Sequence, residues 1–375
     1  MEFIDLSLQR SYIGERINAA VMKVISEGCY ILGPEVSVFE KNLADYIGVK
    51  HAIACANGTD ALLSPLMAIG IGRGDAVFCP SFTFAATAEA VALTGAEPVF
   101  VDVLPHTYNI DPDQLKRAIS MIRREGRLNP KAVISVDLFG LPADYKILTA
   151  ITAEENLFLI EDAAQSVGAV RDNIKCGAFG HVAATSFYPA KPLGCYGDGG
   201  AILTNNDILA KIVRSILLHG SGQSQYDNIR IGMNSRLDTI QAAILIEKLA
   251  VFEEEMEKRA LITARYADGL ADVVEVEVPL SLQNACRSAY AQYTIRAAKR
   301  DSLKAHLKKA GIPSVVYYPK PLHLQPAYCR FPRVEGGLPI SDILSKKVLS
   351  LPMHPYLSYR DQDRVIQEIR KFYKG

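Results

Sequence analysis

Short apolar runs alternate with helix-patterned segments over the first half of this chain, and that alternation most restricts how it can fold. HAIACA (51–56), DAVFCP (75–80), EPVFVD (97–102), KAVISVDLFG (131–140), LFLIEDAA (157–164), HVAATSFYP (181–189) and GAILTN (200–205) read as strands. Between the first of them lie TDALLSPLMAIGI, FAATAEAVALTG and DPDQLKRAISM, which carry helical spacing. Such alternation implies a mostly parallel sheet with helices on both faces. The charged stretch REGRLNPK (124–131) reads as a solvent-exposed loop. From Ser235 to Tyr266 one long helical pattern runs without Gly or Pro, a natural strut ending before Gly269. Beyond it AQYTIRA, DSLKAHLKKAG, PSVVYYP and DQDRVIQEIRKF suggest a smaller α/β domain. The expected division is 1–248, a large domain with an N-terminal arm, and 249–375.

Composition narrows the classes of function. Lysine plus arginine and aspartate plus glutamate number 41 each, so the formal net charge is zero. That balance argues against nucleic acid or an anionic membrane as partner. No apolar run is long enough for a membrane span, and MEFIDLSLQR lacks the apolar stretch of a signal peptide. Seven cysteines without a C-x-x-C pair fit reduced thiols in a cytoplasm, and seven histidines show no metal spacing, so no metal site is expected.

The chemistry concentrates in a few segments. Lys191 sits in SFYPAKPLGCYGDGGA (186–201), flanked by Pro189 and Pro192 and followed by Gly194, Gly197, Gly199 and Gly200. An isolated lysine is usually a surface charge, but this one carries an unusual investment in backbone geometry. About thirty residues upstream Asp162 ends the apolar strand LFLIED, where a carboxylate needs a partner or a proton. A lysine that can form a Schiff base and an aspartate that holds a pyridine nitrogen protonated together suit pyridoxal phosphate. Gly58, Thr59 and Asp60 open a helix after a strand, which suits a phosphate through free N–H groups and the helix dipole, or else is an ordinary capping turn. Phe84 either stacks on a flat ring or packs in the core. Gln165, in EDAAQ, either donates to a cofactor oxygen or is a loop residue. Ser186 ends a strand and offers a hydroxyl. Asn234 and Arg236 stand at the start of the long helical pattern, where a helix cap is the plain alternative.

NGTDAL, EDAAQSVGA, SFYPAKPLGCYGDGGAI and GMNSRLDTIQAAIL together resemble the DegT/DnrJ/EryC1/StrS family of nucleotide-sugar aminotransferases, in order and spacing, over nearly the whole chain. The resemblance implies the aspartate-aminotransferase fold, fold type I, and a homodimer with two shared active sites. It makes Lys191 the Schiff-base lysine, Asp162 the partner of the pyridine nitrogen, Gln165 the residue beside the phenolate oxygen and Phe84 the stacking ring. Thr59, Asp60 and Ser186 become the phosphate cradle, with Asn57 where many relatives have serine, and Asn234 reaches the phosphate of the neighbouring subunit. Arg236, Arg230, His323 and Tyr317 are the substrate-side candidates. NSRLDTIQAAIL resembles the branch that aminates C3 of the sugar, and PLGCYGDGGAI with LPMHPYL resembles enzymes acting on UDP-2-acetamido-2-deoxy-3-oxo-glucuronate. The alternatives are a dTDP-3-keto-6-deoxyhexose 3-aminotransferase, a C4 aminotransferase, a sugar dehydratase (whose relatives replace the lysine with histidine) and a non-catalytic regulatory protein on the same fold.

Overall fold

A computed structural model describes residues 1–224, 226–280 and 286–374. The chain begins with α1 (Leu6–Glu27) and α2 (Pro34–Ile47), then alternates through β1 (His51–Cys55), α3 (Gly58–Ala68), β2 (Asp75–Pro80), α4 (Ala85–Leu93), β3 (Glu97–Val101), α5 (Pro112–Glu125), β4 (Asn129–Val136), α6 (Tyr145–Glu154) and β5 (Phe158–Asp162). Two short strands, β6 (Val170–Arg171) and β7 (Ile174–Lys175), precede β8 (Val182–Ser186), β9 (Gly200–Thr204) and α7 (Asp207–Leu217). All seven strands read from the sequence form one sheet, in the order β1-β9-β8-β5-β4-β2-β3. β2, β3, β4, β5 and β8 run parallel, and only β9 opposes its neighbours. The inner strands are buried almost throughout because helices cover both faces.

Helix α5 shows how local chemistry sets these elements. Asp111 caps it by accepting from the Asp113 and Gln114 amides, Pro112 fills the first turn, and Gly126 ends it at φ 67°. Leu115, Ala118, Ile119 and Ile122 form its buried stripe against the sheet. This corrects the expected 124–131 loop. α5 runs to Glu125 and β4 starts at Asn129, so the connection is three residues, with Leu128 buried inside it. The charges remain at the surface, where Arg127 pairs with Glu97.

The long strut is likewise two helices, α8 (Thr239–Leu249) and α9 (Phe252–Leu270). Phe252 is wholly buried in the second core, so the chain turns at Ala250–Val251 to seat it. Gly269 stays inside α9 because Ile366 packs where its side chain would be. The remaining elements are β10 (Val276–Glu277), β11 (Cys286–Arg287), β12 (Tyr293–Ala297), α10 (Arg300–Lys309), α11 (Pro339–Lys347), β13 (Val348–Leu351) and α12 (Tyr359–Lys374). β10, β12 and β13 make a small antiparallel sheet, and β11 joins β6 and β7 in another. Tyr266, Tyr293, Leu303, Leu349 and Val365 share the core under the first of these. PSVVYYP adds only one bridge, Val315 to Ser350, and otherwise runs irregularly toward the large sheet.

Candidate functional site

The strand after β2 goes to one side of it and the next, β4, to the other, so the order of the sheet reverses there. Crevices outside the carboxyl ends of strands at such a switch point are where open α/β sheets bind ligands. The ends of β1, β2, β5 and β8 deliver Asn57–Asp60, Ser81–Phe84, Asp162–Gln165 and Ser186–Lys191 to that edge.

Asp162 is the buried acid of the site. Thr87 Oγ1 donates to its Oδ2 at 3.0 Å and the Ala164 amide to its Oδ1 at 3.2 Å. Burial pushes its carboxyl above the usual range, while these two donors and the charge of Lys191 pull it back. Lys191 lies on a loop that folds on itself, its amide donating to Tyr188 O at 2.8 Å and that of Cys195 to Phe187 O at 2.8 Å. Burial pushes the Lys191 ammonium below its ordinary value, and Asp162 opposes the shift. The two groups therefore sense one another in a poorly solvated space, the environment in which an amine becomes a usable nucleophile and base.

At the end of β1, Asn57 caps α3 by accepting from the Asp60 amide at 2.9 Å. That cap uses the Asp60 N–H, so its amide is already engaged within the turn. The Gly58 and Thr59 amides lead the helix instead, and the Asp60 carboxylate would repel a dianion. A side chain on Gly58 would lie 2.7 Å from Ser186 Cβ, so glycine is what lets this turn meet β8. Ser186 Oγ accepts from the Tyr188 amide at 3.3 Å, leaving its hydroxyl proton to donate elsewhere. Phe84 caps α4 with its ring 58% exposed, so it is not a core residue. Gln165 is buried, and its Oε1 accepts from the Phe139 amide at 2.6 Å. That bond assigns the amide's orientation and turns its NH₂ toward the Tyr318 hydroxyl, 3.5 Å away.

The substrate-side candidates divide. His323 is buried with Nδ1 against Ser81 Oγ at 2.7 Å and Nε2 against Asp342 at 3.2 Å. Nδ1 is engaged by Ser81, Nε2 lies near Asp342 without a hydrogen bond to it, and burial holds the ring's pKa down, which favours a structural place for His323 over a charged one. Tyr317 turns toward Phe3, with ring centroids 6.3 Å apart. Its neighbour Tyr318 instead packs against Phe82 and Phe84 and meets Gln165. Arg230 and Arg236 are half-buried, with no ion-pair partner among the described residues. Asn234 is exposed on a hairpin closed by bridges Leu218–Asn234 and Ser221–Asn228.

Thr87 and Tyr318 were not found from the sequence. Thr87 had a signal, a lone hydroxyl on the buried face of an apolar helix. Tyr318 had none, since its place depends on how the smaller unit folds back. Asp137, Glu161 and Cys176 also gather, with atoms within 4.8 Å of one another. Asp137 accepts from Ala143 N, Tyr145 OH and Ser166 Oγ, and Glu161 from the Gly177 and Phe179 amides. Burial raises all three pKa values, and the carboxylates are engaged by the chain itself. Among the described residues no helix is long and apolar enough to cross a membrane.

The profile of the DegT/DnrJ/EryC1/StrS aminotransferase family matches residues 11–370. A solved DegT DnrJ EryC1 StrS aminotransferase from Brucella abortus superposes with a TM-score of 0.98 at 63% identity, over 100% of both chains. The chain is 48% identical to the UDP-2-acetamido-2-deoxy-3-oxo-D-glucuronate aminotransferase of Pseudomonas aeruginosa, across 95% of this chain and 96% of that one. It is 43% identical to a pleiotropic regulatory protein of Geobacillus stearothermophilus, across 99% and 98%. The fold is therefore fold type I, and the cofactor is pyridoxal phosphate.

Proposed function

From the DegT/DnrJ/EryC1/StrS aminotransferase family, to which this chain belongs, we propose a specific reaction: transfer of the amino group of L-glutamate to C3 of UDP-2-acetamido-2-deoxy-3-oxo-glucuronate, for bacterial surface polysaccharide. The observation that carries the transaminase chemistry is that the ends of β5 and β8 bring the buried Asp162 and Lys191 to one edge of the sheet, close enough for each to act on the other's charge. The likeness to the Pseudomonas aeruginosa enzyme supports the choice of sugar.

The residues present fit pyridoxal phosphate: a glycine cradle at a helix N-terminus, an exposed aromatic face, a buried carboxylate and an amine. When bound, the cofactor supplies an electrophilic carbonyl and a ring that stabilises negative charge on the donor's α-carbon. Asp162 would keep a proton on the pyridine nitrogen, with Thr87 and Ala164 fixing the carboxylate's angle. Gly58, Thr59 and Ser186 would hold the phosphate, Phe84 would lie against the ring and Gln165 would serve its phenolate oxygen. Lys191 Nζ would take the α-proton of glutamate and, in the second half-reaction, return a proton to the sugar carbon that receives nitrogen. The large unit, 1–248, would present these groups, and 249–375 would close over them through Tyr318.

We read the enzyme as a homodimer with shared sites. Asn234, Arg230 and Arg236 point this way: the hairpin of Asn234 also exposes Ile229 and Ile231, at 56% and 84%. A partner covering it would bring Asn234 to the phosphate and leave Arg230 or Arg236 for the uronate carboxylate. The seven cysteines are unpaired, in keeping with a cytoplasmic enzyme. The test is product NMR after incubation with glutamate and the UDP-3-oxo-uronate. Nitrogen at C3 is expected. Nitrogen at C4, or turnover confined to sugars without a carboxylate, overturns the choice of substrate.

A further inference from the structure

A cavity of about 20 Å³ lies against the Lys191 loop, lined among others by Lys191, Gly194, Lys248, Glu255, Arg259 and His354. Lys248, on α8, is 2% exposed. A buried ammonium is normally paired with a carboxylate. This one is not: no carboxylate lies within ion-pair distance of it among the described residues. The nearby Glu255 acts on it only at longer range, its Oε1 accepting from Gln9 Nε2 and Tyr356 OH, each at 2.7 Å. Lys248 Nζ donates instead to Gly194 O at 2.5 Å and sits 4.6 Å from the centroid of the Tyr196 ring.

Gly194 is the residue that closes the Lys191 loop. A side chain there would lie 2.7 Å from Tyr188 O and 2.6 Å from Pro189 O. Tyr188 O is also the acceptor for the Lys191 amide. One carbonyl thus ties a buried cation to the loop that carries Lys191. Burial brings the Lys248 ammonium down to about 8, the cost of keeping a charge there.

We propose that Lys248 is a positioning residue for transamination, its ammonium clamping Gly194 O so that the 187–195 loop presents the Lys191 amine in one orientation. The proposal rests on Lys191 being the reacting amine. A failure of that reading would show as turnover by Lys191→Ala, whereas the clamp is read below from the backbone itself.

The holoenzyme is compared with Lys248→Met, which keeps the length and removes the donor, and Lys248→Gln, which is shorter and uncharged but retains one. Hydrogen exchange of a peptide spanning 187–196 and the single-turnover rate with glutamate are the two readouts. For Lys248→Met the expected result is exchange at least tenfold faster in that peptide alone. The saturating half-reaction rate should also fall at least tenfold, with the half-saturating glutamate concentration within threefold of wild type. Lys248→Gln should fall between, slowed at least threefold. Exchange and rate both within twofold of wild type in Lys248→Met overturn the proposal, as does faster exchange spread over the whole chain. If Lys248→Met does not fold, Lys248→Gln within twofold of wild type on both readouts overturns it.

Discussion

Replacing Gly58 with alanine tests whether the turn after β1 is a cradle or merely a cap. The added methyl would lie 2.7 Å from Ser186 Cβ, 3.1 Å from Ser186 Oγ and 3.4 Å from Ser186 Cα. Carbon atoms in contact sit at about 3.5–4.0 Å, so the turn and the end of β8 must part by roughly 1 Å. Neither side has room to give. β8 is held between β5 and β9. On the other side Gly200 already approaches the turn so closely that a side chain there would lie 2.5 Å from Asn57 O. Overpacking of this kind costs about 1–3 kcal/mol. The strain falls on the amides and hydroxyl assigned to the phosphate, so cofactor affinity should drop about 5- to 150-fold. Titration of cofactor-free protein with pyridoxal phosphate, followed by absorbance, measures this, alongside the thermal midpoint without cofactor. Gly72→Ala is the control, since its methyl finds nothing nearer than 3.8 Å. Cofactor affinity for Gly58→Ala within twofold of wild type would refute the reasoning.

Asp162→Asn should leave the fold intact and slow the half-reaction with glutamate by several powers of ten; a loss below tenfold, about 1.4 kcal/mol of barrier, removes Asp162 as the pyridine partner. His354 is buried beside Arg259, and its pKa is pushed from 6.5 down to about 4, chiefly by desolvation. The unfolded chain therefore takes up a proton below 6.5 that the folded chain refuses until about 4, and stability is lost as pH falls through that window. Between pH 7 and pH 5 the loss should be about 2 kcal/mol and should vanish in His354→Gln; equal slopes in denaturant unfolding for the two proteins would exclude His354 as its source. If sites are shared, Lys191→Ala and Asn234→Asp subunits should each be nearly inactive as homodimers, while mixed dimers regain about half of wild-type activity by counting sites. Mixed dimers confirmed by mass that regain nothing would place both residues in the same chain's site.

The large sheet was legible because its information is local. Each strand of 51–205 is a run of apolar residues whose burial is dictated by covered faces, so order along the chain predicts them one by one. Lys191 and Asp162 stood out for a related reason, since each sits in a compact motif of distinctive residues. Where the pattern failed, a distant contact had overridden it. The 235–266 segment carries unbroken helical propensity, yet burial of Phe252 in a core shared with residues from 36–54 and 167–203 breaks it into two helices. Asp60 reads as part of a phosphate turn, but a capping bond from Asn57 takes its amide. His323 reads as an available cation until β2 supplies Ser81 and α11 supplies Asp342. Thr87, Tyr318 and Lys248 reach the site from 75, 153 and 54 residues away from their partners Asp162, Gln165 and Gly194. Sequence alone thus determined which strands form and singled out the amine and acid proposed to carry the chemistry, since both follow from periodicity and from a compact motif. Only the tertiary structure decided the angle of the carboxylate, the set of the lysine loop and which polar side chains were already spent. Those depend on hydrogen bonds between segments that come together only when the core closes.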